Sequence, residues 1–214
     1  MTAKITIRGL GHEYLNPFTR ERVLALDGVD LDVEEGEFLT VVGPSGCGKT
    51  TLLNILAGLL PKTRGTVLLD GREVTGPGPD RGVVFQEFAI MPWRTVEKNI
   101  AHGLEIQSVP REKRAAIVRR FVGLVGLGGF ERKYPHELSG GMKQRVAVAR
   151  TLAANPEVML MDEPFAAVDS QTRITLQEEL NAIAQATRKT ILFITHSVEE
   201  AVFLGDRCCV LSGR

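Results

Sequence analysis

A glycine-rich loop at residues 43–50 is the strongest chemical signal in the sequence. It reads Gly-Pro-Ser-Gly-Cys-Gly-Lys-Thr, the G-x-x-x-x-G-K-T pattern of loops that bind phosphate groups. Its glycines let backbone N–H groups turn toward an anion without a Cβ clash. We expect Lys49 to contact the β- and γ-phosphates of a nucleotide and Thr50 to offer its hydroxyl to Mg²⁺. The alternative interpretation is an ordinary glycine turn before a helix.

Two adjacent carboxylates, Asp162 and Glu163, follow the apolar residues 158–161. A carboxylate at the end of a strand can orient Mg²⁺ through its water shell, which makes Asp162 a metal candidate. Glu163 would point in another direction, because successive strand residues alternate faces. It is therefore the candidate to polarise an attacking water. Without the phosphate loop upstream, a turn that ends the strand would be the more common explanation.

A second glycine-rich segment, Ser139-Gly140-Gly141, has the composition of a helix start. Ser139 can cap a helix that begins at Gly140, and the N-terminus of that helix is then a second anion site. If the intervening residues hold this segment far from the chain's own phosphate loop, the phosphate must come from another copy. The sequence thus predicts a dimer with nucleotide between its subunits.

The elements that position these residues can be read from hydrophobic patterns. Residues 5–10 and 29–33 alternate apolar and polar side chains, as half-buried antiparallel strands do. Residues 38–42 are more continuously apolar than these two strands and lead into the phosphate loop, and residues 50–60 have apolar side chains at helical spacing. This order of strand, glycine loop and helix is the context that a phosphate-binding loop requires.

The remaining pattern indicates a doubly wound α/β core. Residues 87–150 are helical in character and predict an inserted helical subdomain. Further strands are predicted at residues 66–69, 82–85, 158–161 and 190–195, with a helix at residues 171–187.

Composition restricts the function. Lys plus Arg and Asp plus Glu both number 26, so no overall basic field favours nucleic acid as a partner. No apolar run approaches the roughly 18 residues that cross a bilayer, and residues 1–6 lack the apolar stretch of a signal peptide. Cys47, Cys208 and Cys209 are an odd number of cysteines, which argues against a disulfide framework and favours the cytosol. Any membrane role must come through a partner.

Taken in order, the phosphate loop, Ser139-Gly140-Gly141 and Asp162-Glu163 resemble the ATP-binding subunit of an ABC transporter. The resemblance covers nearly the whole chain and implies one ABC ATPase domain over residues 1–214 that uses ATP and Mg²⁺. It implies a P-loop NTPase (RecA-like) α/β core with an antiparallel β subdomain, formed by residues 1–86 and 151–214. Residues 87–150 would be the inserted α-helical subdomain that carries the signature motif.

The resemblance also implies a role for individual residues. Tyr14 resembles the aromatic side chain that stacks on adenine, with Phe18 as the alternative. Gln86 resembles the glutamine that senses Mg²⁺, and His196 the histidine that contacts the γ-phosphate. Asp169 resembles the last residue of the loop that links the two ATP sites. The implied catalytic set is Glu163, His196 and Gln86, and the implied metal set is Thr50, Gln86 and Asp162. The implied nucleotide-binding set is Tyr14, Gly43, Pro44, Ser45, Gly46, Cys47, Gly48, Lys49, Thr50, Thr51, Ser139, Gly140, Gly141 and Asp169.

One residue departs from the family pattern, and one has two interpretations. Met142 stands where the family usually has Gln, and it cannot make that amide's hydrogen bonds. We expect activity to survive, because Ser139 and the Gly141 backbone carry the implied phosphate contact. Cys47 is either a small side chain at a tolerant position or a thiol activated by the helix N-terminus.

Residues 76–86 and 91–96, which include Trp93, resemble the nitrate/sulfonate/taurine-type importers. The implied partners are transmembrane permease subunits and, indirectly, an external solute-binding protein. The implied location is the cytoplasmic face of the inner membrane. Trp93 would lie near the groove that receives the permease, and the alternative is a buried core side chain.

Three other functions compete with an importer subunit. A DNA-repair or chromosome ATPase of the same family would place long coiled coils before the signature, and no sustained heptads occur there. An exporter ATPase is normally fused to a membrane segment. A nucleotide sensor without turnover would not need Glu163.

Overall fold

The computed structural model describes residues 3–212, in which two β-sheets pack with six α-helices. We predicted that residues 1–6 are not a signal peptide, and two of these residues, Met1 and Thr2, lie outside the described part of the chain. In chain order the elements are β1 (Ala3–Leu15), β2 (Arg22–Glu34), β3 (Phe38–Val42), α1 (Lys49–Leu56), β4 (Arg64–Leu69), β5 (Arg72–Glu73), β6 (Arg81–Val84), α2 (Val96–Ile106), α3 (Arg111–Leu124), α4 (Gly140–Ala154), β7 (Val158–Asp162), α5 (Ser170–Thr187), β8 (Thr190–Ile194), α6 (Val198–Leu204) and β9 (Arg207–Val210).

The first sheet is antiparallel, with strand order β2-β1-β4-β5. Its two long strands, β1 and β2, extend well beyond the predicted residues 5–10 and 29–33. Register shifts interrupt their pairing, including one between Ile7 and Leu10. Such irregularities break strict alternation, so the hydrophobic pattern reveals only part of each strand.

The second sheet is parallel, with strand order β6-β7-β8-β3-β9. Every residue of β7 and β8 is buried. Alternate side chains enter two different cores: Met159 and Phe193 pack with the helices α2 to α5, whereas Leu160 and Leu192 pack with α1 and the antiparallel sheet. Burial on both faces explains why these strands read as continuous apolar runs rather than alternating ones.

The helix after the phosphate loop ends earlier than predicted. It ends at Leu56 instead of residue 60, and Gly58 follows with φ of +74°. A Cβ at Gly58 would lie 2.1 Å from the Gly76 carbonyl oxygen, so the chain must turn there with a glycine. The apolar spacing after residue 56 was therefore misleading.

Two elements near the C-terminal end of the described chain were not predicted. Helix α6 spans seven residues, and β9 pairs with β3 at the sheet edge. Most of β9 is exposed, so it lacks the apolar pattern that identifies buried strands. Short exposed elements of this kind carry a weak sequence signal.

Helices α2 and α3 lie within residues 87–150, whereas α4 begins there and continues to Ala154. The three helices share one hydrophobic cluster with a face of the parallel sheet. Helix α3 buries one apolar face, which includes Val118, Phe121 and Val122. None of the helices within residues 3–212 combines the length and apolarity that crossing a bilayer requires.

A buried lysine joins the two sheets. Lys4 of β1 is 8% exposed, and its Nζ lies 2.7 Å from both Asp70 Oδ2 and Glu157 Oε2. Asp70 lies in the turn after β4, and Glu157 directly precedes β7. Burial opposes the charged form of Lys4, but its hydrogen bonds and charge interactions with the two carboxylates outweigh burial and raise its pKa.

We expect Lys4→Met to lower the free energy of unfolding by about 1–3 kcal/mol, because both carboxylates lose their charged donor. A raised pKa means that this contribution is complete below the unfolded lysine value and is lost as pH rises through the folded value. Urea unfolding near neutral pH measures it. The control is Arg22→Met, which removes an exposed ion pair with Glu13 and should cost about 0.5 kcal/mol or less. Equal effects of the two changes would contradict this role of Lys4.

Candidate nucleotide-binding site

A cleft of about 390 Å³ lies where the phosphate loop meets the ends of three parallel strands. It draws residues from β1, β2, the loop and start of α1, and the segments after β6, β7 and β8. The lining residues are Tyr14, Val23, Leu24, Ala25, Ser45, Gly46, Gly48, Lys49, Thr50, Thr51, Gln86, Glu163 and His196. Ten of these were predicted from the sequence as site residues.

The phosphate loop holds its own lysine. Lys49 Nζ donates to the Gly43 carbonyl oxygen at 2.8 Å and to the Pro44 carbonyl oxygen at 2.9 Å, and it lies 3.9 Å from Cys47 Sγ. Gly43, Pro44 and Cys47 thus support Lys49 but do not line the cleft. The loop also passes close to β2, since a Cβ at Gly48 would lie 2.6 Å from the Ala25 carbonyl oxygen. Only glycine fits there.

Parallel pairing brings the catalytic candidates together. Strand β8 is the neighbour of both β3 and β7, so the residues after these strands meet at one edge of the sheet. His196 Nε2 lies 2.5 Å from Glu163 Oε1. Gln86 Nε2 lies 3.4 Å from Glu163 Oε2. Glu163 itself has φ of +47°, an uncommon conformation for a residue other than glycine, and this turn directs it away from the strand.

His196 is positioned by hydrogen bonds of the residues on either side of it. Thr195 Oγ1 lies 2.5 Å from Glu200 Oε2, and the Ser197 N–H donates to Thr195 Oγ1 at 3.0 Å. Gln177 of α5 in turn donates to Glu200 at 2.9 Å. This chain of contacts fixes the backbone around His196 while the imidazole remains about half exposed.

Asp162 is buried behind the cleft and is the candidate metal residue. Burial raises the pKa of its carboxyl group, whereas the Thr50 hydroxyl and the positive charges of Lys49 and His196 act in the opposite direction. Its Oδ1 is buried without a hydrogen-bond partner in the described part of the chain. An unpaired carboxylate oxygen beside a threonine hydroxyl fits the oxygen ligands and the positive charge of Mg²⁺.

Tyr14 lies in the cleft, and Phe18 does not. The Tyr14 hydroxyl lies 3.2 Å from Thr51 Oγ1, and the edge of its ring meets His12 at a centroid distance of 4.5 Å. Phe18 is 92% exposed in the loop between β1 and β2. Tyr14 is thus the aromatic side chain that the fold holds beside the phosphate loop.

The second glycine-rich segment lies outside this cleft. As predicted, Ser139 is the N-cap of α4, and its Oγ accepts a hydrogen bond from the Met142 N–H at 3.3 Å. Gly141 packs closely on the loop after β7, because a Cβ there would lie 2.8 Å from the Ala167 carbonyl oxygen. Gly140 and Asp169 also do not line the cleft. Asp169 caps α5 by accepting from the Thr172 N–H at 3.0 Å.

Three lining residues, Val23, Leu24 and Ala25, were missed by sequence reasoning. They belong to β2, which pairs with β1 so that Tyr14 lies opposite Val23. Their only sequence signal was the apolar character of the stretch that follows the loop after Tyr14. Their place beside the phosphate loop depends on the packing of one sheet against the other.

Comparison with known proteins shows the family to which this chain belongs. The model of the ABC transporter family matches residues 26–166. The chain belongs to the ABC transporter family. Its fold class, an ABC ATPase with α/β core, antiparallel sheet and inserted helices, is confirmed. Its predicted activity, ATP hydrolysis, and its place among nitrate/sulfonate/taurine-type importers are likewise confirmed.

Three relatives illustrate how similar other ABC proteins are. An uncharacterized ABC transporter ATP-binding protein of Methanocaldococcus jannaschii is 61% identical over 197 residues, which cover 92% of this chain and 74% of the relative. A taurine import ATP-binding protein of Rhizobium johnstonii is 52% identical over 192 residues, which cover 90% of this chain and 73% of the relative. The dimeric, post-hydrolysis structure of an ATP-binding cassette with ADP and phosphate superposes with a TM-score of 0.89 at 32% identity. The superposition covers 97% of this chain and 94% of the other.

We expect Asp162→Asn to raise the melting temperature of this ABC ATPase near neutral pH without Mg²⁺ or nucleotide. The raised pKa of Asp162 means that its ionisation costs stability as pH rises from the unfolded value through the folded one. The amide does not ionise, so the difference should shrink as pH falls toward about 3.9. The same variant should lose most of the stabilisation by ADP with Mg²⁺. A lower melting temperature than wild type at every pH would contradict the burial argument.

Proposed function

We propose that two copies of this chain bind ATP between them, hydrolyse it, and drive uptake of a small anionic solute through separate permease subunits. The observation that carries this proposal is the division of the candidate residues. Lys49, Glu163 and His196 meet in one cleft, whereas Ser139 caps a helix outside it. A site with all of these groups therefore needs two chains.

The residues of the cleft have distinct roles in hydrolysis. Lys49 and the N-terminus of α1 bind the negatively charged phosphates. Glu163 accepts the proton of the attacking water, and the contact with His196 orients the carboxylate beside the γ-phosphate. Gln86 approaches the same carboxylate and links this chemistry to the segment that precedes α2.

Thr50, Asp162 and Gln86 are the residues that would hold Mg²⁺. The ion would neutralise phosphate charge when it is bound. The unpaired Oδ1 of Asp162 supports this assignment. Burial disfavours the ionised form of the Asp162 carboxyl group and so raises its pKa. A bound cation would stabilise the ionised form in place of the proton.

Ser139 is equipped to donate a hydrogen bond to the phosphate of a partner's ATP. Its oxygen accepts from the Met142 N–H, which leaves the hydroxyl hydrogen available for a second group. Met142 takes part with its backbone, and its side chain packs against the helical core. The missing glutamine amide at this position is therefore compatible with the proposed contact.

The contact between Gly141 and Ala167 supports communication between the two proposed ATP sites. Helix α4, which begins with Gly140 and Gly141, rests on the loop that begins after Glu163 and ends at the cap residue Asp169. Movement of the loop on hydrolysis would shift the helix that holds the partner's phosphate. Asp169 would act in this way through its capping of α5.

Trp93 is the proposed contact with a permease subunit. It is 73% exposed, which excludes the buried-core interpretation. Buried Asn99 holds the surrounding turn, with hydrogen bonds to Met91 and to the Arg94 carbonyl oxygen. A large aromatic side chain on a fixed turn suits an interface. We place this surface at the cytoplasmic face of the inner membrane, with a solute-binding protein acting indirectly from outside.

The proposed solute class is nitrate-, sulfonate- or taurine-like. The name of the Rhizobium johnstonii relative supports it, since that protein is a taurine import subunit. The specificity itself would lie in the permease and the binding protein. Balanced charge over the whole chain supports the absence of nucleic acid among the partners.

We expect Glu163→Gln to retain ATP affinity and lose hydrolysis by about 10²-fold or more, because the amide cannot accept the water's proton. A phosphate-release assay measures turnover, and size-exclusion chromatography should show an ATP-dependent dimer. Glu157→Gln is the control, since Glu157 lies outside the cleft and contacts Lys4. Wild-type turnover in the first variant would exclude Glu163 as the base.

A mixing experiment tests the shared site. Lys49→Ala and Ser139→Arg chains should each be inactive alone. A heterodimer of the two has one site with both defects and one site with neither. We expect partial recovery of ATPase activity on mixing, at concentrations high enough for dimers to form.

If Ser139 served its own chain's ATP, every site in the mixture would carry a defect and mixing would restore nothing. Both variants are also combined with Glu163→Gln, and ATP-dependent dimer formation is measured. Dimers without recovered activity would contradict the shared site, whereas missing dimers would show failed assembly.

A further inference from the structure

A second polar cleft, of about 400 Å³, lies between α2 and α3. It shares no lining residue with the nucleotide cleft. Its apolar floor is formed by Ala101, Val118 and Val122, which are all buried. Its walls are polar and mostly basic, and none of the roles proposed above uses them.

Four cations line this cleft: Lys98 of α2 and Arg111, Arg114 and Arg119 of α3. No side-chain hydrogen bond or ion pair engages any of the four within residues 3–212. Some cations elsewhere in the protein are paired, as Arg94 is with Glu105 and Arg8 is with Asp32. Unpaired cations that converge on a concave surface create a positive potential there.

Two carboxylates, Glu97 and Glu131, also line the cleft but do not neutralise it. Backbone N–H groups of Glu131 itself and of Gly129 lower the pKa of the Glu131 carboxyl, so that its charge is already stabilised by the backbone. Glu97 lies in the first turn of α2, where the helix dipole favours a negative charge. Four cations against two carboxylates leave a net positive cleft.

The surrounding segment has the same charge. Residues 87–150 contain twelve Lys and Arg but only six Asp and Glu, while the whole chain has zero net charge. The remainder of the chain is therefore acidic by the same amount. This separation of charge directs anions toward the helical segment rather than toward the protein as a whole.

We propose that the cleft between α2 and α3 binds a phosphate-bearing anion. Guanidinium groups match phosphate oxygens with paired hydrogen bonds, and three of the four cations are arginines. The cleft is large enough to admit a small phosphate ester, and the apolar floor suits the carbon skeleton of such a molecule. The carboxylates at its walls provide acceptors for hydroxyl groups of the same ligand. The proposal does not depend on the function proposed above.

The test uses matched pairs of substitutions in α3. Arg114→Gln with Arg119→Gln removes two charges from the cleft. Lys113→Gln with Arg120→Gln removes two charges from the same helix at residues that do not line it, and Arg120 instead lies over the Phe121 ring at 5.5 Å. Melting temperatures show whether both variants fold. Should the first fail to fold, Lys98→Gln with Arg111→Gln replaces it.

The probe is glycerol 3-phosphate, titrated into protein whose nucleotide site is saturated with ADP and Mg²⁺, and followed by NMR shifts of α2 and α3 amides. We expect saturable binding that weakens about tenfold or more in the cleft variant and stays close to wild type in the control. Equal weakening in both variants would show a general charge effect and overturn the proposal. The proposal would also be overturned if glycerol 3-phosphate caused no saturable amide shifts and the protein showed no preference for phosphatidylglycerol vesicles over phosphatidylcholine vesicles.

Vesicle sedimentation distinguishes the two sources of the phosphate group. Phosphatidylglycerol vesicles are compared with phosphatidylcholine vesicles for the same three proteins. Binding to phosphatidylglycerol that is lost only in the cleft variant identifies a lipid headgroup. Saturable glycerol 3-phosphate binding without vesicle preference identifies a free phosphate ester.

Discussion

The site depends on the parallel pairing of β3, β8 and β7. Parallel neighbours end at the same edge of a sheet, so the phosphate loop after β3, Glu163 after β7 and His196 after β8 meet there. The phosphate loop lies more than a hundred positions before Glu163 and His196 in the chain, and only the register of the pairing makes them neighbours. Burial of both faces of β7 and β8 keeps that register fixed, because a slip by one residue would move every side chain to the other core.

The charged groups at this edge of the sheet differ in how fully the chain itself provides their hydrogen-bond partners. Lys49 is satisfied by two carbonyl groups of its own loop, whereas Asp162 carries a buried oxygen without a hydrogen-bond partner among the described residues. A positive loop beside a destabilised acid is suited to the combined charges of a nucleotide and a metal ion. The proposed metal residue Asp162 is thus the one whose carboxylate the described chain leaves incompletely hydrogen-bonded.

Under the proposed function, the two glycine-rich segments of one chain are halves of two different ATP sites. The phosphate loop opens α1 at the cleft, and Ser139 opens α4 outside it. Helices α2 and α3 separate them in the chain and pack with α4 in a common core. The same helices form the positive cleft, so the segment between the two halves has a surface chemistry of its own.

Local motifs were determined by the sequence itself. The phosphate loop, the cap at Ser139 and the buried strands β3, β7 and β8 were predictable, because each depends on neighbouring residues and on a short period. Strand β9, the lining by Val23 to Ala25 and the basic cleft were not, since each depends on which segments pack together. The raised pKa of Asp162 likewise follows from burial in three dimensions. The sequence determined which chemical groups are present, and the tertiary structure decided which of them meet.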